Sequence, residues 1–393
     1  MSCELSAGLG VYVHVPFCAK RCDYCAFATW TDRHHLAASY VDACITQLAR
    51  EQQDGGLAAS SLYLGGGTPS QLSTADLRRL LGSVEKAPGA EVTVEANPQD
   101  VTPTWAEACA DSGVTRVSLG VQSFDPAVLA GLGRDQSPAT VRSAVLALSS
   151  AGIEHYSVDL IYGGKGETDE SWAGTLGEVL ALDPSPVHVS AYALTIEAGT
   201  PLSSDTSRHP DDDAQALRYE MADNALSRAG MSWYEISNWA SPGHEARHNL
   251  NYWRQGDYLA IGCAAHGHRA GTRWWNLRTP ERYIGAINAG LSPVAVSETL
   301  SLPERVLEEL ELSLRTSEGV PAAALESALR NEPDDGSIAD LVEKAAGDRL
   351  VLTLKGRLLA NEVACRLRPP TASKTLAQDH LKGEETPLHC VHA

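Results

Sequence analysis

Six short β-forming runs, each followed by a helix-forming stretch, constrain this chain more than any other feature. The runs are GVYVHVPF (9–16), SLYLGGG (61–67), EVTVEANP (91–98), RVSLGVQS (116–123), HYSVDLIYG (155–163) and VHVSAYAL (187–194). Amphipathic segments at 39–53, 73–87, 139–152 and 170–183 lie between them. Such repetition implies an α/β fold with parallel strands and right-handed crossovers. Continuous apolar runs occur among the strands as often as alternating ones, which predicts strands buried on both faces.

Beyond residue 200 the pattern changes. Residues 201–213 are rich in Pro, Ser and Asp and read as a loop, followed by a predicted helix at 213–230 and a single strand at 232–239. An aromatic-rich stretch runs from HNLNYW (248–253) to RWWNL (273–277). Residues 302–367 read as a small helical domain with a helix–hairpin or winged-helix arrangement, and the polar segment 369–393 as a disordered tail. A net charge of −19 repels phosphate backbones, so nucleic acid is not an expected ligand. MSCELSAGLGVYV has neither the basic flank nor the apolar core of an export signal, and the expected location is cytoplasmic.

Chemistry concentrates in HVPFCAKRCDYCAF (14–27), where Cys18, Cys22 and Cys25 follow the first strand directly. Thiolates suit zinc or the iron of iron–sulfur clusters. A closed zinc site needs four protein ligands, and the nearest candidates for a fourth, Asp23 and His14, are poorly suited. Three thiolates suit a cubane cluster with one iron left open. The loop after a parallel barrel strand lies at the rim where such folds do chemistry.

CAKRCDYC, with an aromatic residue before its last cysteine, resembles the signature of radical S-adenosylmethionine (SAM) enzymes. That resemblance implies a 4Fe–4S cluster on Cys18, Cys22 and Cys25, SAM on its open iron, and a partial (β/α)6 barrel. LYLGGGTPSQL, VEANP, LGVQSF, GLGRDQ, VDLIYG, HVSAYALTIEAGTPL, YEISNWA, RHNLNYW, GCAAHGH and LKGRLLANEV follow in order. Together they resemble the oxygen-independent coproporphyrinogen III oxidase-like group over about residues 10–367. The glycine loop with Gly66, Gly67 and neighbouring Thr68 is then expected to receive the methionine end of SAM. Further SAM contacts are implied for Tyr12, Glu95, Gln122, Arg134, Asp159 and Ala193. A strand-end carboxylate can accept from hydroxyls or an ammonium, and a guanidinium suits a carboxylate.

Two features divide the group. Its oxidases carry a further cysteine two positions after the third, where this chain has Phe27. Its haem chaperones carry an HNxxYW motif, matched here by His248, Asn249, Tyr252 and Trp253. The resemblance thus implies binding of haem b, because imidazole ligates haem iron and aromatic rings pack on porphyrins. Read from composition alone, the same residues are a capped histidine and core aromatics.

The expected organisation is a SAM barrel over 1–240, an aromatic extension with the haem motif over 241–300, a small domain over 301–368, and the tail. The expected activity is delivery of haem to acceptor haemoproteins such as respiratory enzymes at the cytoplasmic membrane. A homodimer and SAM cleavage are compatible with this. The alternatives are a radical SAM methyltransferase or oxidase acting on a tetrapyrrole or other small molecule, and a zinc or haem protein with a vestigial SAM site. Departures from the group's pattern occur at Gly164, Lys165 and Gln136. Cys3, Cys44, Cys109, Cys263 and Cys365 lack ligand spacing and are expected to be buried thiols, and His389, Cys390 and His392 belong to the tail.

Overall fold

A computed structural model describes residues 8–55, 58–329 and 338–368, so Cys3 and the tail lie outside the described residues. The six expected strands form: β1 (Gly10–Val15), β2 (Ala59–Gly66), β3 (Lys86–Ala96), β4 (Arg116–Gln122), β5 (Tyr156–Tyr162) and β6 (His188–Ala193). They pair in sequence order and in parallel, the α/β partial barrel expected. Helices between them begin where the sequence offers a cap. The side chains of Ser73, Thr102, Asp125, Ser137 and Thr168 each accept from backbone amides of the turn that follows.

The strands are not apolar on both faces. Val11, Val13 and Val15 of β1, Leu62 and Leu64 of β2, and Val117, Leu119 and Val121 of β4 belong to the main core under the helices. The intervening residues point the other way: Tyr12 and His14, Ser61 and Tyr63, Thr93 and Glu95, Ser118, and Asp159. Register keeps these polar positions beside one another, as in Tyr12–Tyr63–Thr93. Period-2 alternation here separates a dry outer face from a polar inner one.

Three local expectations change. The segment 73–87 splits into a helix, Thr74–Gly82, and the start of β3, because Lys86 Nζ donates to Leu81 O and Val84 O and closes the helix end. The single strand at 232–239 is a hairpin, β7 (Ser232–Glu235) and β8 (Asn238–Ala240), folded back where Glu235 Oε2 accepts from Ser237 N at 3.1 Å. β8 runs antiparallel to β6. The loop 201–213 holds two short 3-10 turns, Leu202–Ser204 and Thr206–Arg208.

Residues 241–300 extend the same sheet at its other edge. β9 (Tyr258–Ile261) pairs in parallel with β1, and β10 (His266–Arg269), β11 (Thr272–Asn276) and β12 (Val294–Thr299) continue antiparallel. Leu259, Ile261, Cys263, Tyr283 and Ile287 join the main core. Every residue of the outermost strand, β12, is exposed. The C-terminal segment adds helices Leu302–Leu314 and Ala322–Leu329 and a three-stranded antiparallel sheet of β13 (Val320–Pro321), β14 (Val342–Ala345) and β15 (Arg349–Leu352). Its own core includes Leu310, Leu314, Val320, Leu325, Leu352 and Val363.

Cys44, Cys109 and Cys263 are buried, whereas Cys365, at the last position of the helix Ala360–Cys365, is exposed, contrary to expectation. No helix among the described residues is long and apolar enough to cross a membrane.

Arg357 ties the C-terminal segment to the barrel. Its two terminal nitrogens donate to Asp223 at 2.8 and 3.0 Å, and its guanidinium lies 4.5 Å from the Trp233 ring centroid. Both partners are largely withdrawn from water, so Arg357→Ala leaves a carboxylate without its cation. The expected loss is about 3 kcal/mol of stability, measured by urea unfolding.

Candidate functional site

The cysteine loop leaves β1 at its C-terminal end and is anchored on every side. Trp30 N donates to Pro16 O at 2.8 Å and Cys18 N to Trp30 O at 3.1 Å, closing the base of the loop. His14 Nε2 bonds Ala28 O and His34 Nε2 bonds Cys18 O. From outside, Leu202 N donates to Asp23 O, and Arg208 pairs with the Asp23 carboxylate at 2.8 Å. Tyr24, the aromatic residue before the last cysteine, packs against a small cluster of Val128, Leu132, Ile161, Leu194 and Leu202. Asp23 is thus committed to Arg208, and both nitrogens of His14 are committed to Tyr12 OH and Ala28 O. Neither supplies a fourth ligand.

Two donors face the thiols. Thr68 Oγ1 lies 3.4 Å from Cys18 Sγ, and Arg134 Nη1 lies 3.5 Å from Cys22 Sγ. Burial raises the pKa of Cys18 and pushes that of Cys25 up to about 11. Loading a metal centre here therefore displaces protons. Among the described residues no three His, Cys, Asp or Glu side chains are arranged around a single metal ion.

The glycine triplet ends β2 beside this loop. Gly66 has φ +105°, and a Cβ there would lie 2.2 Å from His14 Nδ1. At Gly67 a Cβ would meet Val15 O at 2.7 Å. The absence of side chains is therefore required by close packing of β1 on β2. Glu95 stands below the triplet, accepting from Tyr63 OH at 2.7 Å and Gly66 N at 3.0 Å. Burial pushes its pKa up to about 7, and that of Asp159, which accepts from Ser118 Oγ, up to about 6. Neither carboxyl has a cationic partner among the described residues.

Strand β4 closes the rim. Gln122 adopts φ 65° after an irregularity in the β4–β5 register, a left-handed conformation uncommon outside glycine. Arg134 Nη2 donates to Asn97 Oδ1 and Gly120 O, both at 2.8 Å. Gln136, one of the departures, donates to Val121 O and so steadies the same strand end. Lys165 is exposed and reaches Ser207 Oγ at 3.1 Å. Ala193, last in β6, is exposed at the rim. The structure thus gathers Cys18, Cys22, Gly66, Gly67, Thr68, Glu95 and Arg134 at one end, with Gln122 beside Arg134, Tyr12 and Asp159 lining the interior and Cys25 on the same loop.

The HNLNYW segment lies at the other end of the barrel. It forms the helix Arg247–Trp253, whose first amides are capped by Glu91 in the middle of β3: Arg247 N at 3.1 Å and His248 N at 2.9 Å. A Cβ at Gly10, the first residue of β1, would lie 3.4 Å from His248 Cε1. The helix therefore plugs the floor, one strand length, on the order of 20 Å, from the thiol rim. His248 is 1% exposed. Its Nδ1 bonds Ser61 Oγ and its Nε2 bonds Tyr252 OH, each at 2.8 Å. Burial lowers its pKa to about 3, so the ring is neutral. Asn249 Nδ2 donates to Glu235 Oε1 at 3.0 Å, and Trp253 Nε1 is buried without a hydrogen-bond partner. Iron ligation by His248 requires Ser61 or Tyr252 to release its nitrogen.

Tyr63 links floor to rim. It stacks on His248 with centroids 5.3 Å apart and donates to Glu95 beside the glycine loop. The sequence reading missed Tyr63 and Asn97, and weighed His14 only as a fourth metal ligand. Tyr63 pairs with Tyr12, which was singled out, but only register across strands shows it.

The residues present fit a three-thiolate cluster with a polar cosubstrate. The donor set is three thiols with hydroxyl and guanidinium donors aimed at sulfur. Arg134 Nε, Gln136 Oε1 and Thr29 Oγ1 are buried without hydrogen-bond partners around it.

Comparison with known proteins agrees with this geometry. The Radical SAM superfamily profile matches residues 12–179. A protein described as "Heme chaperone HemW" from Mycobacterium tuberculosis is 42% identical over 370 residues, covering 90% of this chain and 93% of its own. Its counterpart from Lactococcus lactis is 34% identical, covering 89% and 90%. Among solved structures, coproporphyrinogen III oxidase from Escherichia coli superposes with a TM-score of 0.79, 22% identity and coverage of 92% and 90%, a likeness of fold.

Glu235 gives a pH test of the floor. Burial pushes its pKa up to about 7, against hydrogen bonds from Ser237 N and Asn249 that pull it down. A carboxyl with a raised folded pKa takes up a proton on folding. Its stabilisation is complete below the unfolded value of about 4.3 and is lost as pH rises through 7. Buried His14 and His248 act in the opposite sense below about 6.5, but they are common to wild type and variant. The melting temperature of Glu235→Gln is therefore expected to gain on wild type as pH rises from 5 to 7.5, read by calorimetry.

Proposed function

Because the chain belongs to the HemW haem-chaperone family of radical SAM proteins, we propose that it is a haem chaperone that binds a 4Fe–4S cluster, SAM and haem b. It passes haem to acceptor haemoproteins, with respiratory enzymes at the cytoplasmic membrane as the expected recipients, and works in the cytoplasm. A homodimer is compatible with the exposed β12 edge. The observation that carries the chaperone reading over the oxidase one is Phe27. This side chain is 59% exposed and offers no thiolate where the group's oxidases have a further cysteine.

Cys18, Cys22 and Cys25 would hold the cluster, leaving one iron for SAM. Bound together, cluster and SAM supply reductive cleavage of the sulfonium. The chain's own residues do the positioning. The bare backbone of Gly66 and Gly67, with Thr68 and Glu95, would take the methionine amino end. Arg134 suits the carboxylate, while Tyr12, Gln122, Asp159 and Ala193 would line the remainder. Burial raises the pKa values of Glu95 and Asp159, and no cation among the described residues faces them. A cationic or hydroxyl-bearing cosubstrate would supply the missing partner. The floor helix with His248, Asn249, Tyr252 and Trp253 would hold haem, its histidine reaching iron once Ser61 or Tyr252 releases a ring nitrogen.

Anaerobically reconstituted protein is expected to form no protoporphyrinogen IX from coproporphyrinogen III and to transfer bound haem to an apo-haemoprotein. Stoichiometric protoporphyrinogen IX would overturn the chaperone reading. Cys18→Ala is expected to lose cluster iron and SAM cleavage while keeping its far-UV circular dichroism.

A further inference from the structure

The outer face of the cysteine loop takes no part in the site described above. Ala19, Lys20, Arg21, Ala26 and Phe27 all face solvent, while the three cysteines among them are buried or half-buried. Phe27 is the extreme case at 59% exposed, a large apolar ring that folding leaves in water.

Charge on this face is equally uneven. Asp23 is held by Arg208 and Asp32 by Arg33, so the carboxylates of the loop and of the turn after it are neutralised. Lys20 and Arg21 are exposed and have no ion pair among the described residues; Arg21 Nη2 instead donates to Cys25 O at 3.2 Å. The net charge of −19 repels an acidic protein in general. Two unpaired cations beside an aromatic ring therefore mark where one can approach, and in which orientation.

The same residues adjoin the sulfurs. Phe27 follows Cys25 by two positions, at most about 7 Å of chain. Burial raises the Cys25 pKa, and the Phe27 amide and the Arg21 guanidinium act on that thiol in the opposite sense. Bonds from Trp30, His14, His34 and Arg208 hold the loop on every side, so a partner meets a preformed surface.

We propose that Lys20, Arg21 and Phe27 dock a small acidic protein that carries one low-potential electron. The inference rests on the radical SAM reading, in which reductive cleavage draws its electron from outside the chain. At the interface the carrier is oxidised by one electron and the cluster is reduced by one; no bond or proton changes hands. A small-molecule reductant needs neither the ring nor the cations, which supplies the control.

The test uses the full-length, anaerobically reconstituted protein, with a bacterial flavodoxin as the probe. Affinity for oxidised flavodoxin is read by calorimetry, and cluster reduction by EPR, with reduced flavodoxin or dithionite as the donor. Lys20→Glu combined with Arg21→Glu is expected to lose about tenfold or more in affinity, and Phe27→Ser about threefold to tenfold. Raising salt from about 0.05 to about 0.3 M should weaken wild-type binding and leave that of the charge-reversed protein nearly unchanged. Reduction by dithionite and cluster iron content should match wild type in both variants. Phe27→Ser leaves both cations in place and decides the matter alone if charge reversal disturbs the loop. Wild-type affinity in Phe27→Ser, or no flavodoxin binding by the wild type, would overturn the surface and leave the radical SAM reading standing. Failure of the wild type to assemble a cluster that dithionite reduces would overturn that reading instead, and the surface with it.

Discussion

The period of two along the parallel strands is the constraint on which the molecule depends. Each strand turns valines and leucines outward to the helices and polar or small side chains inward. Burial of the outer set drives folding at roughly 25 cal/mol per Å² of apolar surface. The inner set offsets part of that gain, since a buried hydroxyl, carboxyl or imidazole needs partners. Those partners lie across neighbouring strands, Ser118 on Asp159 and Tyr63 on Glu95, or along one strand, Tyr12 on His14. A hollow, polar interior is stable because the outer face alone supplies a core.

The two mouths of this interior are closed differently. The floor is sealed by a short helix whose amides are held by Glu91 and whose histidine and tyrosine fill the barrel. The rim is left to loops without side-chain bulk, the glycine triplet and the cysteine loop. These loops are pinned from outside by Arg208 and from behind by Arg134. Side chains with unmet hydrogen-bonding capacity at the rim, such as Arg134 and Gln136, sit where a ligand can reach them. At the floor, His188 Nδ1 and Trp253 Nε1 are unpaired too, but within packed surroundings.

Much of this was legible from sequence because the signals were local. The strand–helix repeats named the six consecutive parallel strands, though not β9, and CAKRCDYC with LGGGT named the rim. The reading failed where the cause was not local. Continuous apolar runs predicted strands buried on both faces, and they are; what they did not reveal is that Tyr12, Ser61, Tyr63, Glu95 and Asp159 make the inner face polar, which only register across strands shows. The hairpin at 232–240 depended on a side chain, Glu235, reaching forward to Ser237 N. Nothing in HNLNYW reveals that its histidine meets Ser61, a residue distant in the chain.

Tyr63 presses one face of its ring on the floor histidine while its hydroxyl steadies the carboxyl under the glycine turn. Trimming that ring would open a void below and unclamp an acid above in a single stroke. Position 63 consequently reports on the whole axis of the barrel, and no variant there can be assigned to one mouth alone.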